Sequence, residues 1–297
     1  MISIIITSYK EKESIGKAIE SFVKQNIKED YELIAAAPDE ETGNEIKKYE
    51  RKYKHVRYFK DKGKGKMSAL NELFKVAKGD ILILSDGDVF VSENSVNEIL
   101  DKFKDGKIGC VTGRPVSLNN KKDKMGYWSH LLCDAGAHLT RKERSEKNEY
   151  ITCSGYLFAF RNMIKEFPRD VPEDAYIPFW FFRKGYKIGY VPEAEVYVKY
   201  PNNFKEWMEQ KKRIAKAYEN YKNITIEGEK SPMMKSFLRE LIEGPGKAFS
   251  YPKNFREFIW TLELIPARGY MWFLSFYEGK VKKEKHRDKW KRVESSK

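Results

Sequence analysis

A chain of 297 residues can hold one large domain or two of ordinary size, and its 41% apolar and 14% aromatic content excludes wholesale disorder. Lys and Arg number 57 against 44 Asp and Glu, a net charge of +13 that suits a nucleic acid, an anionic membrane or a phosphorylated ligand without choosing among them. Cys110, Cys133 and Cys153 form no CxxC, which argues against a disulfide or zinc framework and for a reducing compartment.

The amino terminus, MISIIITSYKEKES, has an apolar run too short for a signal peptide and no basic flank, and Ile2 to Ile6 reads as a strand. A helical pattern from Ser14 to Gln25 puts Ile15, Ala18, Ile19, Phe22 and Val23 on one face. YELIAAA (31–37) is the second strand, residues 40–54 a charged helix, HVRYF (55–59) a third strand, and Lys66 to Ala77 a helix stopped by Gly79. DILILSD (80–86) has the near-continuous apolar character of a strand buried on both faces, and it ends abruptly in Asp86-Gly87-Asp88. This alternation predicts an α/β fold with a mostly parallel central sheet flanked by helices. Ligands of open α/β sheets bind beyond the carboxyl ends of the strands, so the two carboxylates stand where chemistry is expected.

A helix from Asn94 to Phe103 leads to the strand IGCVTGRPV (108–116), after which residues 117–149 are polar and mixed. ITCSGYLFAFR (151–161), a Pro-rich loop (168–178), a helix with WFFRKG (180–185) and the strand YKIGYVPEAEVYV (186–198) form a further unit. Phe204 to Tyr221 is helical again. Residues 223–253, with several Gly and Pro, connect to a C-terminal helical pair broken at Pro266. No 18 apolar residues run without a charge, since FIWTLELIPARGYMWFLSFY (258–277) carries Glu263 and Arg268, so no ordinary transmembrane helix is predicted.

Asp86 and Asp88 can converge on one divalent cation, with Gly87 letting the backbone turn closely, and hard oxygen ligands suit Mg2+ or Mn2+. Alone the triplet also fits a plain turn. KDKGKGKMSALNEL (60–73) sets four Lys and two Gly ahead of a helix, a setting for anion binding or equally a solvated basic loop. It is no Walker A loop, and the first βα turn, TSYKEKES, lacks GxGxxG. His55, His130, His138 and His286 show no pair at ligand spacing, and Cys153 has no histidine partner to make it a nucleophile, so all five read as structural.

The ordered series ITSYKE (6–11), PDE (38–40), GKGKMSALN (63–71), SDGDV (85–89), SGYLFAFR (154–161) and PEDAYIPFWFFRKGYKIGYVPEAEVY (172–197) resembles the family 2 glycosyltransferases of the GT-A fold, including the processive synthase branch, over roughly residues 1–215. The resemblance implies a nucleoside diphosphate sugar donor, a UDP-sugar favoured, a glycan or lipid-linked acceptor, and inversion at the anomeric carbon. It implies donor binding by Thr7, Tyr9 and Glu11 in the opening turn, Asp39 at the nucleoside base, and Lys66 and Asp86 at the diphosphate. Asp86 and Asp88 would hold the Mg2+ or Mn2+. Ser154 and Gly155 match the acceptor-side segment, and Asp174 the catalytic base, with Glu173 as the less favoured carboxylate. Helix N-cap acidity ahead of Ala175 is the plain alternative for that pair. Gln210 and Arg213 match two positions of the QxxRW signature, but Ile214 replaces its Trp, and VYVKYP (196–201) lacks the His that often completes the metal site. The implied organisation is a GT-A catalytic domain over 1–222, with donor half about 1–116 and acceptor half about 117–222, and a C-terminal helical segment over 223–297.

Two competing readings are weaker. A sugar-phosphate nucleotidyltransferase would open with a GGxGTR-like loop where this chain has TSYKEKES, and a basic nucleic-acid-binding protein is unsupported by any RRM, KH, zinc-finger or helix-turn-helix pattern. The aromatic segment from Phe255 to Tyr277, followed by nine Lys or Arg and three Asp or Glu in 280–297, fits an interfacial anchor on an anionic leaflet, which would make the protein cytoplasmic and peripheral at the inner membrane face. The alternative is packing of those aromatics against the rest of the chain or a second copy as a homodimer.

Overall fold

In the computed structural model, which describes residues 1–232 and 237–277, the apolar runs of the first half become parallel strands. β1 (Ile2–Thr7) lies between β2 (Tyr31–Ala37) and β4 (Ile81–Asp86), with β3 (Val56–Lys60) outside β2. The crossovers are α1 (Ile15–Val23), α2 (Glu40–Lys52) and α3 (Lys66–Val76). Side chains of a strand alternate between faces, so Ile4 and Ile6 of β1 join a core with Ile15, Ile19 and Phe22, while Ile5 joins another with Leu70, Leu73 and Phe74. Both faces are covered, which is why these strands are apolar at nearly every position.

Beyond β4 come β5 (Phe90–Val91), α4 (Ser95–Lys102), β6 (Ile108–Ser117), β7 (Leu157–Arg161), α7 (Glu173–Arg183) and β8 (Lys187–Val198). The eight-stranded sheet runs β3-β2-β1-β4-β7-β6-β8-β5. Four of its seven pairings are parallel, and β7 is antiparallel to both β4 and β6, so the sheet is mixed. Gly79 does not stop α3, which already turns extended at Ala77. Its missing side chain is needed for packing, because a Cβ there would lie 2.3 Å from the backbone nitrogen of Ser3.

Three stretches differ from expectation. Residues 124–146, read as polar and mixed, form one helical run of α5 (Lys124–Leu131), a π-helical turn (Leu132–His138) and α6 (Leu139–Glu146). The Pro-rich loop ends sooner than expected, since α7 starts at Glu173 with Pro172 as N-cap and continues through Pro178. The C-terminal pair is a single helix, α10 (Phe255–Phe276), that runs through Pro266. The helix α8 (Phe204–Tyr221) has the predicted bounds; a short hairpin of β9 (Thr225–Ile226) and β10 (Glu229–Lys230) and then α9 (Phe237–Phe249) link it to α10. Leu264, Ala267 and Met271 of α10 are buried with Met125, Trp128 and Leu131 of α5 and with Trp207 and Met208 of α8. Thr261 shares a 2.6 Å hydrogen bond with Tyr127, and Trp128 Nε1 donates to the carbonyl of Trp260 at 2.7 Å. The basic tail, 280–297, lies outside the described residues, as does His286.

Candidate active site

Parallel register brings Thr7, the last residue of β1, beside Asp86, the last of β4. Thr7 Oγ1 donates to Asp86 Oδ1 at 3.3 Å, and the N–H of Gly87 donates to the Thr7 carbonyl at 2.9 Å. Gly87 must lack a side chain, because a Cβ would fall 2.5 Å from Ser8 Cβ and 2.6 Å from Glu11 Oε2. The TSYKE turn is braced from the start of α2: Asp39 accepts the Lys10 N–H at 2.8 Å and caps the helix through Thr42 N at 3.0 Å, while the Glu11 N–H donates to Thr42 Oγ1 at 2.9 Å. Burial pushes Asp39 up, but the Lys10 and Thr42 N–H groups together outweigh it and hold the carboxyl below its ordinary value.

Lys66 opens α3 directly after Gly65, whose φ of 101° carries the chain into the helix. Its ammonium lies 2.7 Å from Asp86 Oδ1 and 2.7 Å from Glu173 Oε1, and the three side chains are 12%, 23% and 6% exposed. Burial would lower the lysine, yet the carboxylates of Asp86 and Glu173 prevail and hold it well above its ordinary value, so it is a permanent cation. One buried charge thereby ties the end of β4 to the start of α7.

Asp174 stands next in that first turn, where the helix N-terminus favours carboxylates, so the capping and catalytic readings of the PED segment meet at one place. Pro178 has no N–H to give the Asp174 carbonyl one turn earlier, and the Cys153 N–H takes that acceptor at 2.9 Å. The Ser154 N–H donates to Thr112 Oγ1 at 2.8 Å. These bonds fix the Ser154-Gly155 segment against α7: a Cβ on Gly155 would lie 3.6 Å from both Asp174 Oδ2 and Glu173 Oε1.

A cavity of about 300 Å3 opens here. Lys66 lines it from the start of α3, Asp86 from the end of β4, Ser154 and Gly155 from the turn before β7, Glu173 and Asp174 from α7, and Gln210 and Arg213 from α8. Thr7, Tyr9, Glu11, Asp39 and Asp88 do not line it; Thr7 reaches it only through Asp86. Asp88 remains near, since burial and then the charges of Asp88 and Asp86 push the Tyr156 phenol well above its ordinary value. Among the described residues no group of three or more His, Cys, Asp or Glu could hold a metal. A two-carboxylate motif still fits Mg2+ or Mn2+, which is commonly bound by one or two carboxylates and completed by substrate phosphates. Both bonds to Asp86, from Thr7 and from Lys66, fall on Oδ1.

Tyr156, Trp207, Tyr218 and Arg141 line the same cavity and were not singled out from the sequence. Trp207, Lys211, Ile214 and Tyr218 recur at three- and four-residue steps, so α8 could have been read as a site-facing helix. Arg141 sits in LTRKERSE, which looks like a solvated charge run. The described histidines are structural: His55 pairs with Tyr31 at 2.6 Å, His130 with the Asn119 carbonyl at 2.9 Å and His138 with Tyr190 at 2.7 Å. All three cysteines are free and buried, with Cys110 and Cys153 Sγ 3.3 Å apart.

Such a mixed sheet with its strand-end carboxylates is the fold of GT-A glycosyltransferases, and two solved structures bear this out. The mannosyltransferase PcManGT of Pyrobaculum calidifontis, in complex with GDP-Man and Mn2+, superposes with a TM-score of 0.59 at 16% identity over 97% of this chain and 82% of its own. TarS 1–349 of S. aureus in complex with UDP gives 0.56 at 16% identity over 91% and 79%. Residues 3–167 match the family described as glycosyl transferase family 2, and the chain belongs to that family. It is 25% identical over 228 residues to a probable glycosyltransferase, YdaM, of Bacillus subtilis, covering 72% of this chain and 54% of the relative. It is 23% identical over 221 residues to the poly-beta-1,6-N-acetyl-D-glucosamine synthase of Staphylococcus aureus, covering 72% and 53%. The chain thus spans about half the length of these curated relatives. Among the described residues no helix is long and apolar enough to cross a membrane.

Proposed function

We propose that the protein is an inverting, metal-dependent glycosyltransferase that moves a sugar from a nucleoside diphosphate donor, a UDP-sugar favoured, to a glycan or lipid-linked acceptor. The observation that carries this reading is the buried Lys66, which joins the metal-motif carboxylate Asp86 to Glu173, the neighbour of Asp174, across one cavity. Asp86 and Asp88 would hold Mg2+ or Mn2+ with the donor phosphates; the bound metal supplies charge neutralisation as the diphosphate leaves. Lys66 adds a fixed positive charge at the same point. Asp174 accepts the proton of the acceptor hydroxyl as its oxygen bonds to the anomeric carbon and the bond to the diphosphate breaks. Glu173 is tied to Lys66 and orients it, which favours Asp174 as the base. Gly155 leaves open the space beside Asp174 Oδ2 that an acceptor needs. Asp39 meets the nucleoside base, Thr7, Tyr9 and Glu11 shape the donor turn, and Gln210 and Arg213 approach the donor from α8.

The catalytic domain ends near residue 222 and the helical segment that follows serves as a membrane-surface anchor. Phe255, Phe258, Leu262, Ile265, Phe273 and Phe276 stay exposed on one helix face, spaced three or four residues apart except across Gly269. An in-plane pose would seat that stripe in the headgroup boundary of an anionic leaflet while the basic tail meets lipid charge.

Thermal unfolding with a panel of UDP- and GDP-sugars, with and without Mn2+ or Mg2+, tests the reading. A donor at about 100 times its Kd should raise the midpoint by roughly 5 °C, and only with metal present. If no nucleotide sugar shifts the midpoint in the presence of metal, the proposal fails.

A further inference from the structure

The acceptor side of the cavity holds a buried cation that the transfer mechanism does not use. Arg141, on α6, is 3% exposed and lines the cavity. Its Nε donates to the Thr152 carbonyl at 3.1 Å and its Nη2 to the Cys153 carbonyl at 3.2 Å, while Nη1 is buried with no hydrogen-bond partner. Among the described residues Arg141 forms no ion pair, whereas Lys66, the other buried cation of this cavity, has two carboxylates. A guanidinium out of water without a counter-charge is costly, and an apolar side chain would fill the same volume without that cost.

Two more buried polar atoms on this cavity also lack a partner: Trp207 Nε1 and Gln210 Oε1, on residues 2% and 8% exposed. The three atoms comprise two donors, one of them cationic, and one acceptor. They complement a ligand that carries an anionic oxygen and a hydroxyl. The helical run delivers Arg141 there: Cys133, Ala137 and Arg141 line the cavity at four-residue steps through the π-helical turn, a wide-turn device that recurs at functional sites. Tyr218, raised first by burial, feels both the Asp174 charge and the opposing charge of Arg141, so the cation and the proposed base act in one compartment.

We infer that Arg141 recognises an oxyanion, a phosphate or a carboxylate, carried by the acceptor, so that the acceptor is an anionic glycan or a phosphate-linked carrier rather than a neutral sugar. This rests on the glycosyl-transfer reading and names the substrate class of its acceptor side. A guanidinium offers paired N–H groups to an oxyanion at about 2.7–2.9 Å.

Calorimetric titration tests it with inorganic phosphate and with glucuronate as the two probes, each in the presence of saturating UDP and Mn2+ so that the donor phosphate site is filled. The wild type should bind at least one probe, and the tighter one identifies the source of the oxyanion. Arg141→Gln should weaken that binding about tenfold or more, the scale of one charge-assisted hydrogen bond, while Arg141→Lys keeps part of it and UDP affinity stays unchanged. Absence of binding of both probes to the wild type, or equal binding in Arg141→Gln, overturns the inference. Failure of both UDP and GDP to bind the wild type strikes the glycosyl-transfer reading instead, and the probes titrated without nucleotide then report on Arg141 directly. Should Arg141→Gln not fold, a wild-type crystal soaked in selenate decides: an anomalous peak at Nη1 supports the assignment, and peaks only elsewhere overturn it.

Discussion

Replacing Lys66 with Met should destabilise the fold more than any exposed charge change. The methionine keeps most of the volume but leaves Asp86 and Glu173 facing each other with no cation, at 23% and 6% exposure. Removing one partner of a buried ion pair costs about 3–5 kcal/mol, which for a chain of this size lowers the melting midpoint by roughly 5–8 °C. Because the folded lysine titrates above its unfolded value of about 10.4, its contribution is complete below that pH and is lost only as the pH rises through the folded value. The difference between wild type and Lys66→Met should therefore be flat from pH 6 to 9 and shrink only in strong alkali. Guanidinium chloride unfolding followed by circular dichroism at several pH values measures it. Adding Glu173→Leu should recover part of the loss, since Asp86 then no longer faces the buried carboxylate of Glu173. A Lys66→Met protein within about 1 kcal/mol of wild type would show that the bridge behaves like a solvated surface pair, and the reasoning that makes it the keystone of the site would be refuted.

Asp88→Ala should abolish metal-dependent donor binding with the fold intact, and unaltered donor affinity in the presence of Mn2+ would remove Asp88 from the metal site. Gly87→Ala should cost about 1–3 kcal/mol in chemical unfolding, because the new methyl meets Ser8 Cβ at 2.5 Å and Glu11 Oε2 at 2.6 Å; a neutral variant would mean that the turn relaxes freely. Phe258→Ser with Phe273→Ser should reduce sedimentation with anionic liposomes at low salt, and equal binding by variant and wild type would leave the α10 stripe to packing between copies.

The strands around β4 were legible because burial on both faces leaves a signature that few other elements share, and the break at Asp86-Gly87-Asp88 marks where the sheet meets the site. YELIAAA and Phe204–Tyr221 coincide with their elements for related reasons: a bounded apolar run in one, and a clean helical period behind the Asn203 N-cap in the other. The run from Lys124 to Glu146 was not legible, since the π-helical turn breaks the 3.6-residue period and Gly126 and Gly136 resemble loop residues. Pro172 and Pro178 read as loop markers, yet one caps α7 and the other sits within it, its lost hydrogen bond replaced by Cys153. Asp174 could be placed by its motif, but the grip of Lys66 on Glu173 depends on a contact between distant elements that no local pattern carries. Arg141 was hidden for the same reason.

The central claim, displacement at the anomeric carbon with Asp174 as base, is tested most directly by proton NMR of the sugar that the enzyme first releases to water from an α-linked donor it binds. Slow transfer to water uses the same geometry without requiring the natural acceptor. The account predicts that the β anomer appears first, and that Asp174→Asn slows its appearance about 100-fold or more while donor affinity is kept and Glu173→Gln is affected less. An α anomer formed first, or an Asp174→Asn protein that releases sugar at the wild-type rate, would contradict it.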